Sequence, residues 1–257
     1  MKILIFDIET TPILGYAWST WKTDLISVVE DWTMMSFAYK WYGDKSRPTF
    51  VRPDMKNPWD GKKMVEYLWN LFDEAHVVIG FNSDRFDNKK AQALFLRYGL
   101  KPPSPFKSVD LLKVSRRNFA HSSHKLDNIS KLLGFGTKTH HGGFMKMFQE
   151  CMKDNDPKAW KLLEKYNKQD VLLTEKLYVM LLPWISNHPL DPTKDHDGAT
   201  CPSCHRTGTS QKRGLQTART WSYQRYHCIP KKGGCGRWFK GRRALKDLKD
   251  AVDEDTQ

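Results

Sequence analysis

Four acids and one tyrosine stand where a strand and two helices could deliver them to one point. They are Asp7 and Glu9 in ILIFDIET, Asp87 in GFNSDRFD, and Tyr166 with Asp170 in EKYNKQDVLLTEKLY. Asp7 and Glu9 are two apart at the expected end of a strand, so both side chains leave one face with Cα atoms about 6–7 Å apart. Tyr166 and Asp170 are four apart on an expected helix, about 6 Å along its axis and on one face, which stands the phenol beside the carboxylate. Paired magnesium ions sit about 3.5–4 Å apart, take carboxylate and water ligands, and clamp the attacking and leaving oxygens of a phosphodiester. The spacing suits that chemistry. A DxE at a strand end or a YxxxD on a helix is by itself more often structural than catalytic, and it is the combination, in this order and these settings, that is informative. Asp84 competes with Asp87 for the third acidic position.

A second donor set lies near the C-terminus. Of five cysteines, Cys201, Cys204, Cys228 and Cys235 cluster there, and Cys201-Pro-Ser-Cys204 is a tight turn that can present two thiolates to one ion. Cys228 and Cys235 supply the other pair for a closed, structural zinc site. Six residues separate that second pair where two to four are usual, so His205 or His227 remains an alternative fourth ligand. A module this short has little core of its own and needs the metal to fold. Cys151 lies in a helical stretch and reads as a small apolar filler.

These groups must be held by a real scaffold, and 257 residues with 39% apolar content are enough for one sizeable domain plus a small module. Residues 2–6 read as a buried strand, 33–44 and 47–53 as two more with Gly43-Asp44 between them, and 76–81 as a fourth. Met64, Tyr67, Leu68 and Leu71 give 61–75 a helical period. Helices are also expected over 86–100 and 126–136, with Gly99 and Gly134 as C-terminal caps, and from about 159 to 182. KTHHGGF (138–144), with His140 and His141, reads as a surface turn. Three early strands followed by strand and helix alternation predict an α/β fold, a mixed sheet with helices on both faces. The expected organisation is a domain over 1–187, a linker over 188–199, a basic module over 200–243 and an acidic tail over 244–257.

Net charge is +13, and it is unevenly placed. Residues 199–243 hold 11 Lys or Arg and no acid, the tail is −3, and residues 1–198 are left with +5. A stretch this basic, interleaved with aromatics, points to a polyanion, and nucleic acid is the expected one. Arg219, Arg225 and Arg237 with Trp221 and Trp238 are the expected contacts; Tyr223, Tyr226 and Phe239 are divided between core and stacking roles. The longest apolar stretch, LYVMLLPWI, falls short of the roughly 20 residues a bilayer requires, and the N-terminus lacks the apolar core of a secretion signal. A cytoplasmic protein with no membrane partner is expected.

Together FDIET, Asn82-Ser-Asp-Arg-Phe-Asp87 and Tyr166-Asn-Lys-Gln-Asp170 resemble the three motifs of the DEDD superfamily of 3′ to 5′ exonucleases, in its tyrosine subtype. SVDLLK and KLDNISKLLG are similar to connecting segments of that group, closest to the proofreading domain of family B DNA polymerases. CPSC, YHC and CGRWF resemble, more loosely, zinc ribbons of transposases and replication proteins. The first resemblance implies a ribonuclease H-like fold, two magnesium or manganese ions held by Asp7, Glu9, Asp87 and Asp170, and an attacking water oriented by Tyr166. It implies release of nucleoside monophosphates, with Asn82 and Phe86 shaping the nucleotide pocket, although Phe86 is equally readable as core. Single-stranded DNA is the expected substrate and the ribbon its tether, in proofreading or end processing beside a polymerase or another replication protein. A 3′ to 5′ exoribonuclease, a structure-specific nuclease and a non-catalytic binding protein are the alternatives.

Overall fold

The computed structural model describes residues 1–19, 21, 24–136, 143–185, 188–189, 200–218 and 221–245. The chain divides into two compact units, Met1–Leu181 and Leu182–Gln257. The expected linker apart from His188 and Pro189, the KTHHGGF turn apart from Gly143 and Phe144, and most of the acidic tail lie outside the described residues.

The first unit is built on a five-stranded sheet. Its strands are β1 (Ile3–Thr10), β4 (Met34–Trp41), β5 (Thr49–Val51), β6 (Val77–Gly80) and β7 (Lys107–Asp110), in the order β5-β4-β1-β6-β7. β1 runs antiparallel to β4 and parallel to β6, with β5 antiparallel and β7 parallel at the edges, so the sheet is mixed as expected. Strand β1 does not stop at Asp7: it continues to Thr10, with Asp7 opposite Ala38 and Glu9 opposite Ser36. Both acids therefore sit within the paired strand, and their alternation is fixed by the ladder to β4, the β6 ladder covering Ile3 to Ile5.

That alternation sorts the two faces. Leu4, Phe6 and Ile8 form one core with α1 (Lys62–Glu74) and α2 (Asp87–Arg97), through Leu68, Phe72, Ala91, Leu94 and Phe95. Phe6 meets Phe72 edge to face at 5.0 Å, and each fully buried side chain of this size contributes about 1.5–3 kcal/mol. The odd-numbered residues of β1 face the long helix α6 (Pro157–Leu181). Where α6 crosses the sheet its buried stripe changes from Leu163, Val171 and Leu177 to include Asn167, Asp170 and Thr174. A half-buried pair, Lys40 with Glu175 at 2.6 Å, ties β4 to the same helix.

The remaining helices are α3 (Leu111–Asn118), α4 (Leu126–Leu132) and α5 (Phe144–Phe148), the last running into a π-helical turn, Gln149–Lys153. Cys151 is fully buried there among Met35, Met147, Phe148 and Trp160, the filler role expected of it. Gly99 and Gly134 close α2 and α4 in the left-handed region, at φ 71° each, with the Leu100 and Phe135 amides bonded back to Phe95 O and Ser130 O.

A small separate sheet pairs β2 (Leu14–Tyr16) with β3 (Ser27–Glu30). All four residues of β3 are exposed, including Val28 and Val29, so no in-and-out alternation marks the hairpin in the sequence.

The second unit contains β8 (Ser210–Ala218), β9 (Trp221–Cys228) and β10 (Trp238–Ala244), an antiparallel sheet in the order β10-β9-β8. No described helix is long and apolar enough to cross a membrane.

Candidate active site and thiol cluster

Asp7 leaves β1 toward α6, where Asn167 meets it. The Asn167 amide donates to Asp7 Oδ2 at 2.7 Å and to the Asp7 carbonyl at 3.2 Å, while its own oxygen accepts from Ser36 Oγ at 3.3 Å. Asn167 is fully buried. Its three bonds tie α6, β1 and β4 at one point and orient the first carboxylate. Tyr166, the preceding residue, donates its hydroxyl to Asp170 one turn on, and Asp170, Glu9 and Asp7 all act electrostatically on the phenol. Burial first, then these three carboxylates, push the phenol well above its ordinary value, so in the metal-free chain it is a neutral hydrogen-bond donor.

Asp87 comes from the other side of β1. Strand β6 ends at Gly80, and the chain turns through Asn82 at φ 65° before α2 begins. Gly80 is required here by space: a Cβ would lie 2.5 Å from Ser83 Cβ and 2.8 Å from Ser83 Oγ. The turn is pinned by Asp110 at the end of β7. Its Oδ1 accepts from the Asn82 amide at 2.9 Å and from the Leu112 amide at 2.9 Å, and its Oδ2 accepts from the Asp84 amide at 3.3 Å. So held, Asp87 is 4% exposed and accepts from the Ile8 amide at 3.1 Å, between the two acids of β1. Burial pushes its carboxyl up to about 7, opposed by the Ile8 bond and reinforced by the charges of Asp110 and Asp170.

Asp84 points elsewhere. It pairs with Lys113 at 2.7 Å and accepts from Asn88 Nδ2 at 3.2 Å and from Ser108 Oγ. Its partial burial is outweighed by Lys113 and Ser108, which hold it below the usual carboxylate range. Of the two rivals, Asp87 is thus the one delivered to β1. Phe86 is 39% exposed and has Lys90 Nζ 5.6 Å from its ring, which removes the core reading. Asn82 uses its left-handed backbone to make the turn. Asn167 lies inside the third motif and Asp110 inside SVDLLK, but their positioning roles are revealed only by the contacts above.

Carboxylate oxygens drawn from β1, the β6–α2 turn and α6 make an all-oxygen set, which suits hard divalent cations such as magnesium or manganese. The thiol cluster is of the opposite kind. Cys201, Cys204, Cys228 and Cys235 place their sulfurs within 4.8 Å of one another, with Cys201 3.6 Å from Cys235 and Cys204 3.7 Å from Cys228. Four thiols so placed could hold one metal ion, and their chemistry suits tetrahedral zinc. Six intervening residues do not prevent it, because the 3-10 turn Pro230–Lys232 folds the connection back; Gly234 is so close that a Cβ would lie 2.5 Å from Cys228 Sγ. The histidine alternatives are engaged otherwise: His205 packs on His188 at 4.3 Å, and His227 bonds Gly236 O at 3.1 Å and stacks on Trp238.

Of the expected ribbon contacts, Trp221, Arg225 and Trp238 lie on one exposed face of the sheet, while Arg219 lies outside the described residues. Arg237 does not share that face. It donates to Pro183 O at 2.6 Å and to Ser203 Oγ at 3.4 Å, and its guanidinium lies 5.9 Å from the Trp184 ring. Its first duty is internal, because the residue stands one position before β10, on the side of the thiols. Tyr226 and Phe239 stack on each other at 5.2 Å on that inner side and belong to the ribbon core.

No curated protein matches the chain. Among solved structures, the family B DNA polymerase from the hyperthermophilic archaeon Pyrobaculum calidifontis superposes with a TM-score of 0.47 at 20% identity, over 71% of this chain and 24% of the polymerase chain. The chain thus spans about a quarter of that protein's length. A family model, described as RNase_H superfamily, matches residues 4–182, the sheet and all the acids above included. With well over half of its length inside that match, the chain belongs to the RNase_H superfamily.

Proposed function

We propose that the protein is a metal-dependent 3′ to 5′ exonuclease that shortens single-stranded DNA from its 3′ end, releasing nucleoside 5′-monophosphates. The observation that carries this reading is the convergence on Tyr166 of Asp7, Glu9 and Asp170, with Asp87 delivered to the same strand through the Ile8 amide. Asp7, Glu9, Asp87 and Asp170 are the residues that would hold two magnesium or manganese ions. Such ions, when bound, supply the electrostatic clamp on the attacking and leaving oxygens of a phosphodiester. Asn167 fixes the rotamer of Asp7, and the Ile8 amide fixes Asp87, so the carboxylates are set before substrate arrives. Tyr166 directs its hydroxyl toward the acids, where it can orient a water. Asn82 and Phe86, on the turn leading to Asp87, border the space where a terminal nucleotide would lie.

The thiol cluster takes one zinc ion in this reading, and the ribbon built around it tethers the substrate strand in proofreading or end processing. Digestion of 5′-labelled DNA tests the assignment. With magnesium, a ladder shortening from the 3′ end is expected on a single-stranded oligonucleotide, slower cutting on a blunt duplex, and none by Asp7→Ala. Faster cutting of a matched RNA would move the assignment to an exoribonuclease. Internal cuts confined to branched substrates would move it to a structure-specific nuclease. An intact strand with wild-type protein and either metal would sink it.

A further inference from the structure

The ribbon sheet has two unlike faces. Along β9 the even residues Gln224, Tyr226 and Cys228 are buried, while the odd ones, Trp221, Tyr223, Arg225 and His227, point outward. Register adds Trp238 opposite His227 and Lys240 opposite Arg225 to the outer face. There the cations rest on rings: the Arg225 guanidinium lies 4.2 Å from the centre of Trp238, and Lys240 Nζ lies 4.3 Å from that of Tyr223. His227 stacks on Trp238 at 4.4 Å and 10°. Two groups this close to one ring centre occupy its two faces, so Trp238 is a support for Arg225 and has no face left for a base. Trp221, 58% exposed at the end of the same row, does.

Residues 199–243 contain no carboxylate, so nothing within the ribbon neutralises these cations. A guanidinium braced on an aromatic ring has already lost much of its rotamer freedom, and it presents N–H donors outward in the fork that matches phosphate. Arg225 and Lys240 stand opposite each other across the two strands, and their charged heads are drawn apart as separate contacts, one onto Trp238 and the other onto Tyr223. An exposed indole adds a surface that an unpaired base can cover and that a base inside a duplex cannot reach.

We propose that this outer face is a binding site for single-stranded nucleic acid, with Arg225 and Lys240, braced by Trp238 and Tyr223, on backbone phosphates and Trp221 stacked on a base. The site rests on the reading of the chain as acting on nucleic acid, and it narrows the tether to one face and to named atoms. Arg237 and the inner residues take no part.

Fluorescence anisotropy on the full, zinc-loaded chain tests it, with Asp7→Ala present to prevent cutting, against labelled dT20, U20 and a 20-pair duplex over a salt series. Tight binding to either single strand with weaker binding to duplex is expected, the sugar preference naming the natural polymer. Arg225→Ala with Lys240→Ala should weaken single-strand binding on the order of ten-fold near 0.1 M salt and flatten the slope of log K against log salt by about 1.4, two contacts at about 0.7 each. Trp221→Ala should weaken binding about five-fold or more with the slope unchanged, since stacking releases no counterions. Lys231→Ala with Lys232→Ala removes equal charge away from the face and should leave the slope alone. Zinc content, read with a chromogenic chelator after thiol modification, reports whether the ribbon is folded. Should the alanine pair shed zinc, Arg225→Gln with Lys240→Gln takes its place. An unchanged slope with zinc retained, an equal effect of the Lys231 and Lys232 changes, or duplex bound as tightly as single strands would each overturn the proposal. Cleavage by protein with Asp7 intact is read separately, so failure of the nuclease reading leaves a different record.

Discussion

Replacing Asp87 by asparagine should make the first unit more stable at alkaline pH while it abolishes cutting. Asparagine keeps the Oδ1 acceptor that the Ile8 amide needs, so the perturbation removes a charge and little else. In the folded chain burial and the carboxylates of Asp110 and Asp170 push the Asp87 carboxyl up to about 7, from 3.8 in the unfolded chain. A carboxyl with a raised folded pKa binds its proton more tightly when folded. Its contribution to stability is therefore fully present below about pH 4 and is lost as the pH rises to about 7. Three pK units at about 1.4 kcal/mol each put the ceiling near 4 kcal/mol, and sharing of the proton with Asp110 and Asp170 lowers what is realised. Even a realised 1–2 kcal/mol moves the midpoint of a unit this size by roughly 2–8 °C. Scanning calorimetry of the zinc-loaded protein without added magnesium, at pH 5, 6, 7 and 8, reads the difference. A gap in favour of Asp87→Asn is expected that already has about a third of its full size at pH 5, widens through pH 6 and 7, and levels off by pH 8. Added magnesium should raise the wild-type Tm and leave that of Asp87→Asn nearly unmoved. A variant less stable at pH 8, or a gap that does not depend on pH, would refute the account of Asp87 as a carboxylate held against its own repulsion.

Asn167→Leu keeps the bulk and removes the donor to Asp7; a fall in kcat/KM of about 10² is expected from loosened geometry, with the Tm of the first unit lowered by only a few degrees. Gly80→Ala forces a Cβ against Ser83, which carries the turn to Asp87; a loss of about 1–3 kcal/mol is expected in urea unfolding, with activity lowered alongside. Cys228→Ser should abolish stoichiometric zinc binding and unfold the ribbon, seen as loss of its β signal in circular dichroism, while the melting transition of the first unit persists. Asp110→Asn can keep Oδ1 for the Asn82 and Leu112 amides but loses the acceptor for the Asp84 amide and the charge, weakening the hold on the turn; a higher magnesium concentration for half-maximal cleavage is expected, and a metal dependence identical to wild type would show that the turn holds itself.

Local periodicity was enough to place much of the site. A strand alternates by two and a helix repeats near four, so Asp7 with Glu9 and Tyr166 with Asp170 were each legible as same-face pairs. The mixed sheet, the capping glycines Gly99 and Gly134 and the four-thiol set were legible for similar reasons, since short-range backbone rules and ligand spacing govern them. The β2–β3 hairpin was not, because its residues are exposed on both faces and leave no alternation to read.

What distinguishes Asp87 from Asp84 is long-range. Three residues separate them, both follow the same strand, and only the Lys113, Ser108 and Asn88 contacts on one side and the Ile8 amide on the other assign their directions. Asn167 and Asp110 are ordinary polar residues until β4, β1 and α6, or β6 and β7, come together around them. The ribbon divides in the same way. Its composition determined that it is basic, aromatic and able to hold a metal. Pairing of β9 with β10 decided that Arg225 and Lys240 stand outward on rings, because strand register, which no run of residues contains by itself, sets the face of every paired side chain, while Arg237, just outside that pairing, bonds Pro183 O instead.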